Sequence, residues 1–169
     1  MLGRTVQLVP ADPTWPAAFA REAARLREAA GDTPVVIEHI GSTAVPRLLA
    51  KPTVDVLVGV PTLADADALV PKLQALGYDY VQAFEAQLPR RRFLRTPSGT
   101  FHLHVVERGG AFWYEHLAFR DWLRSHADDA RRYGFLKQQL AQRYTNDREA
   151  YTDGKAPFVA EILRQARGA

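Results

Sequence analysis

The sequence predicts an α/β domain with a mixed β-sheet, an N-terminal helix and a helical C-terminal third. Three observations carry this. Residues 35–40 (VVIEHI) and 53–60 (TVDVLVGV) are short β-branched runs with strand composition. Residues 90–95 (RRRFLR) and 101–107 (FHLHVVE) flank Thr96-Pro97-Ser98-Gly99, a turn signal, and should pair as an antiparallel hairpin. From about residue 112 onward the pattern is helical, in stretches at 112–125, 128–144 and 147–167.

The remaining elements follow in order. Residues 5–9 (TVQLV) alternate and predict a short strand. Asp12-Pro13-Thr14-Trp15-Pro16 has the make-up of a helix entry, with Asp12 or Thr14 as cap and proline allowed in the first turn. The alanine-rich stretch 15–29 continues as helix, with Trp15, Phe19 and Leu26 toward the core, and Gly31-Asp32 breaks it. The run 53–60 is apolar on both faces, which places it inside the sheet, and Pro61 stops it. Leu63, Leu69, Leu73 and Leu76 have helical spacing over 62–76, and Gly77 is the expected C-terminal cap.

A chain of 169 residues fits one domain, spanning 1–169, and its 47% hydrophobic content supports a core. The absence of cysteine excludes disulfides, thiolate metal sites and a cysteine nucleophile. The segment MLGRTVQLVPADP lacks the apolar stretch of a signal peptide, and no run reaches the roughly 18 apolar residues of a membrane helix. The expected location is the cytoplasm, with no membrane partner. The pI of about 9.4 reflects a net charge of only +3, 22 Lys and Arg against 19 Asp and Glu. The basic cluster Arg90, Arg91, Arg92 and Arg95 holds a single aromatic, Phe93, which argues against a nucleic-acid surface. Nothing in the sequence indicates an oligomeric state.

The segment with chemical content is Glu38-His39-Ile40-Gly41-Ser42-Thr43-Ala44-Val45-Pro46-Arg47, followed by Lys51-Pro52-Thr53-Val54-Asp55-Val56-Leu57-Val58. It reads as strand, Gly-Ser turn, connection, and strand with a carboxylate inside. Glycine at a strand end lets backbone approach a ligand. Ser42 and Thr43 add hydroxyl and N–H groups suited to phosphate. A carboxylate within an apolar strand is costly unless it is paired or binds a ligand, so Asp55 needs a partner.

On these residues the chain resembles the GrpB family, within the nucleotidyltransferase-fold superfamily. The string from Glu38 to Asp55 carries the resemblance. So do His102-Leu103-His104-Val105-Val106, Phe119-Arg120-Asp121-Trp122-Leu123-Arg124, Tyr133…Leu136-Lys137 and Tyr151…Lys155. The likeness runs along nearly the whole chain, in order. It implies a nucleotidyltransferase-like mixed sheet and binding of a nucleotide or phosphorylated small molecule with a divalent metal (Mg, Mn or Zn). Nucleotidyl transfer is the reaction such a site would perform. Gly41, Ser42, Thr43, Lys51 and Arg92 are the implied phosphate-binding residues, and Asp55 is the implied catalytic residue and metal ligand.

One position departs from the enzyme pattern. A second carboxylate is expected two residues after Asp55, and that position is Leu57. The hairpin strand offers His102 and His104 on one face in place of a third carboxylate. The candidate metal set is therefore Asp55, His102, His104 and Glu38, with His39 and Glu107 nearby in sequence; imidazole with carboxylate favours transition ions over Mg²⁺. Two alternatives stand beside transfer: a non-catalytic nucleotide-binding or accessory module, and a transition-metal hydrolase using Asp55, His102 and His104. Leu57 should share a face with Asp55 and fill the space of the missing carboxylate.

Overall fold

A computed structural model describes residues 5–169. Helix α1 (Trp15–Ala30) leads into strand β1 (Val36–Ile40), a one-turn 3-10 segment at Ser42–Ala44, and strand β2 (Val54–Val60). Helix α2 (Leu63–Ala75) and the two-residue strand β3 (Asp79–Tyr80) precede the hairpin of β4 (Arg91–Arg95) and β5 (Phe101–Glu107). Helices α3 (Ala111–Ser125), α4 (Ala127–Arg143), α5 (Arg148–Asp153) and α6 (Ala156–Gly168) complete the chain. Among the described residues no helix is long and apolar enough to cross a membrane.

The five strands form one mixed sheet in the order β1-β2-β5-β4-β3. Only the β2–β5 pairing is parallel. Alternation then sorts every side chain. Ile37, Val54, Val56, Val58, Leu94, Leu103 and Val105 face one way and pack with Ala23, Leu26, Leu69 and Leu73 of α1 and α2 in the main core. On the opposite face Ile40, Leu57 and Val106 meet Trp113 of α3. Gly59 lies directly beneath that indole: a Cβ there would come within 2.5 Å of the Trp113 ring. Beyond it, Leu123, Tyr133, Phe158 and Ile162 join α3, α4 and α6, with Val45 and Leu48 of the connection against them.

Two local features organise these elements. Thr62 accepts from the Asp65 N–H while the Asp65 carboxylate accepts from the Thr62 N–H, a capping box that starts α2. The hairpin forms as expected, and its register sets Phe93 opposite His104. Two expectations fail. Residues 5–9 do not form a strand; Val9 makes an isolated bridge with Ala50, and the Val6 N–H donates to the Thr145 carbonyl. These partners come singly from two different segments, so no continuous ladder forms. The last predicted helix is broken into α5 and α6 at Gly154-Lys155, where Pro157 sits in the first turn of α6 and cannot donate to the preceding turn.

Candidate functional site

The second face of the sheet carries Asp55 and Leu57 on β2, His102 and His104 on β5, and Arg91 and Phe93 on β4, as the register requires. Opposite them lie α3 to α6, and a cavity of about 480 Å³ opens between the two layers. Gly41, Ser42, Thr43, Lys51, Asp55, His102 and His104 all line it. Tyr133, Lys137, Tyr151 and Lys155 from the C-terminal helices line it too.

At the sheet edge of the cleft the chain leaves β1 through Gly41, at φ 72° and ψ −173°. This is a region that only glycine adopts without strain. The turn presses against Asp55: a Cβ on Gly41 would lie 2.7 Å from Asp55 Oδ2. His104 Nε2 is 3.1 Å from the other oxygen, Oδ1, and His102 Nδ1 is 3.7 Å from it. Burial works to raise the Asp55 pKa. The hydrogen bond from His104 and the positive field of the neighbouring Lys51 outweigh it and hold the carboxyl below its ordinary value. Burial pushes His102 and His116 down to about 4 despite the nearby carboxylate, so both imidazoles are neutral at pH 7.

Three lysines converge on this cleft. Lys137 is almost wholly buried and donates to Ser42 Oγ at 2.8 Å and to the Leu49 carbonyl. Lys155 and Lys51 both approach the Tyr151 ring, at 4.6 and 5.6 Å from its centre. Burial, with repulsion from the neighbouring lysines, lowers Lys137 to about 7 and Lys155 to about 8; burial, with repulsion from Arg148, also lowers Lys51. Among the described residues, none of the three forms an ion pair with a carboxylate. The site thus concentrates cationic donors around one carboxylate and one Gly-Ser turn.

Several sequence candidates lie elsewhere. Arg92 points to the other face of the sheet, where it binds Asp67 at 2.5 Å, Glu85 at 3.5 Å and the Pro89 carbonyl. Parity along β4 excludes it from the cleft, and Arg91 occupies the corresponding place. Glu38 shares the sheet face of Asp55 but is held by Arg120 at 2.6 Å, away from the histidines. His39 faces α1, stacks on Phe19 and hydrogen-bonds Thr43 Oγ1 at 2.8 Å. The Thr43 hydroxyl is therefore occupied. Glu107 pairs with Arg90 at the strand end. Lys137, Lys155, Tyr133 and Tyr151, which carry part of the family resemblance in the sequence, are brought to the cleft by the helical layer.

Arg120 is the brace of this wall. It bonds the Glu38 carboxylate, the His39 carbonyl at 3.1 Å and Asp121 at 2.7 Å. Arg120→Ala is expected to cost about 1–3 kcal/mol, because the buried His39 carbonyl loses its donor. Chemical denaturation measures this, and an unchanged midpoint would show that the brace carries no load.

The donor set does not suit a pair of metal ions. Leu57 is fully buried among Ile40, Val106 and Trp113 on the face of Asp55, where a second carboxylate would have to stand. Glu38 is committed to Arg120. Among the described residues, no three His, Asp or Glu side chains are arranged to hold one ion.

The family model described as GrpB protein matches residues 5–165. The chain belongs to the GrpB family. A GrpB relative from Pseudomonas aeruginosa, described as a UPF0157 protein, is 46% identical over 169 residues, covering 97% of this chain and 69% of its own. The crystal structure of the conserved protein GrpB from Enterococcus faecalis superimposes with a TM-score of 0.85 at 36% identity, covering 95% of this chain and 96% of that one. A structure of the Cid1 poly(U) polymerase with Mg and 3′-dATP bound matches at a TM-score of 0.55 and 16% identity, over 89% of this chain and 49% of that chain. The GrpB domain therefore has the nucleotidyltransferase-like fold.

Proposed function

We propose that the cleft binds a nucleotide or a related phosphorylated small molecule. The observation that carries this is a set of three lysines, none ion-paired to a carboxylate among the described residues, that line one cleft with the Gly41-Ser42 turn. Clustering like charges in a half-buried cleft is unfavourable unless an anion joins them. Phosphate oxygens would take the Ser42 and Thr43 N–H groups at the start of the 3-10 turn, with Lys137, Lys155 and Lys51 around them. Phe93 and Phe119 line the same cavity and offer faces for a base. The fold shared with a nucleotide-bound polymerase supports the same reading.

Leu57 favours binding over two-metal transfer, because the residue that would hold the second ion is a packed leucine. Asp55 keeps Oδ2 beside the turn, placed to accept from a ligand hydroxyl.

Calorimetric titration of ATP, UTP and inorganic tripolyphosphate, with and without Mn²⁺, tests the reading. All three anions are expected to bind; no heat from any of them would overturn it. Asp55→Ala is expected to weaken nucleotide binding by about tenfold or more, the worth of ~1.5–3 kcal/mol for a charged hydrogen bond. Tripolyphosphate, which has no hydroxyl to donate, should bind the variant no more weakly than the wild type. An equal loss for both ligands would show that Asp55 acts on the phosphates through a metal or through the fold.

A further inference from the structure

Arg91 has an unusual setting that the ligand reading leaves unexplained. Its guanidinium lies between two rings, 5.2 Å from the centre of Phe93 and 5.6 Å from that of Phe112. Its Nε is buried with no hydrogen-bond partner. Among the described residues it makes no ion pair with a carboxylate. Its side-chain polar contact is Nη1 to His104 Nδ1, at 3.4 Å. His104 in turn places Nε2 3.1 Å from Asp55 Oδ1.

The directions of these bonds are fixed by chemistry. A guanidinium only donates, and it stays protonated in proteins. His104 Nδ1 must therefore accept, which leaves its proton on Nε2. The Nε2–H then donates to Asp55 Oδ1. A proton at Nδ1 would instead set N–H against N–H. His102 is no substitute, because its Nδ1 stands 3.7 Å from the same oxygen, beyond hydrogen-bond reach.

We infer that Arg91 is a positioning residue: it locks His104 as the Nε2–H tautomer, and His104 then holds Asp55 Oδ1 so that Oδ2 faces the Gly41-Ser42 turn. The relay accounts for an arginine sheathed in aromatic rings, since packing alone would be served by an apolar side chain. Its value to a ligand rests on the cleft being the binding site proposed above, but the tautomer lock exists in the free protein.

Nitrogen-15 correlation NMR of the ligand-free chain at neutral pH reads the lock directly. Wild-type His104 is expected to show a protonated Nε2 and an unprotonated Nδ1. Arg91→Met should bring the two nitrogen shifts toward each other as the tautomers mix, and Arg91→Lys, which keeps a cationic donor, should restore most of the wild-type pattern. Asp55→Asn, which keeps an acceptor oxygen, should leave the pattern as it is. A wild-type ring protonated at Nδ1, or an Arg91→Met spectrum identical to wild type, would overturn the inference. Should Arg91→Met fail to fold, the wild-type spectrum alone still decides the first of these. Because no ligand enters the measurement, a failure of phosphate binding leaves the outcome intact, and the reverse also holds.

Discussion

Gly41→Val is expected to lose detectable nucleotide and tripolyphosphate binding and to lower the unfolding midpoint as well. Two independent costs meet at this residue. Its φ of 72° with ψ near 180° is open to glycine alone, and a β-branched residue there costs about 1–3 kcal/mol in backbone strain. The new Cβ would also lie 2.7 Å from Asp55 Oδ2 and 3.2 Å from Asp55 Cβ, so the carboxylate cannot keep its place. Ser42→Ala makes the contrast. It removes one hydroxyl, which now accepts from Lys137, but keeps the backbone N–H groups. A larger affinity loss for Ser42→Ala than for Gly41→Val, in folded proteins, would mean that the backbone does not cradle the ligand.

Lys137→Met should lower tripolyphosphate affinity about 10- to 100-fold, the range of ~1.5–3 kcal/mol for a charged hydrogen bond. It should also change how stability depends on pH. Folding lowers Lys137 to about 7 and Lys155 to about 8, from 10.5. Between those values the unfolded chain holds protons that the folded chain has released. Stability of the free protein therefore rises with pH across pH 7–9, by up to ~1.4 kcal/mol per unit for each proton of difference. Below about pH 7 both lysines are charged in either state and this contribution is at its least favourable. A bound anion reverses the trend, because it favours the ammonium forms, and affinity should fall over the same interval. Denaturation midpoints at pH 7 and pH 9 for wild type and Lys137→Met provide the check. A slope that is equal in the two proteins would remove Lys137 from the linkage.

The sequence and the structure agree most closely where the information is local. Alternation put His102 and His104 on one face, and the carboxylate strand put Leu57 beside Asp55, because a two-residue period holds wherever no bulge intervenes. Leucine spacing over 62–76 located α2, and the capping box of Thr62 and Asp65 that starts it lies within four residues. Arg92 was misplaced although the same alternation could have corrected it. Once His104 is assigned to the cleft and the hairpin register is set, Phe93 lies opposite it, and Arg91 rather than Arg92 shares its face. Lys137 was not recoverable in this way. It reaches Ser42 across 95 residues, through the packing of α4 on the connection after β1, and no periodicity encodes that docking. Glu38 fell between these cases: its face was readable, but its capture by Arg120, 82 residues away, was not.

The bare backbone at Gly59 sets the clearance of the whole site. Trp113 rests its indole flat on that residue, so α3 rides above the sheet at the thickness of a single ring. His116, Phe119 and Arg120 follow on the same helix and inherit that height. A lone methyl group added at position 59, outside the cleft wall, would act as a shim. Pressed 2.5 Å from the Trp113 ring, it would strain the packing of Ile40, Leu57 and Val106 beneath α3 and shift the helix that carries His116, Phe119 and Arg120.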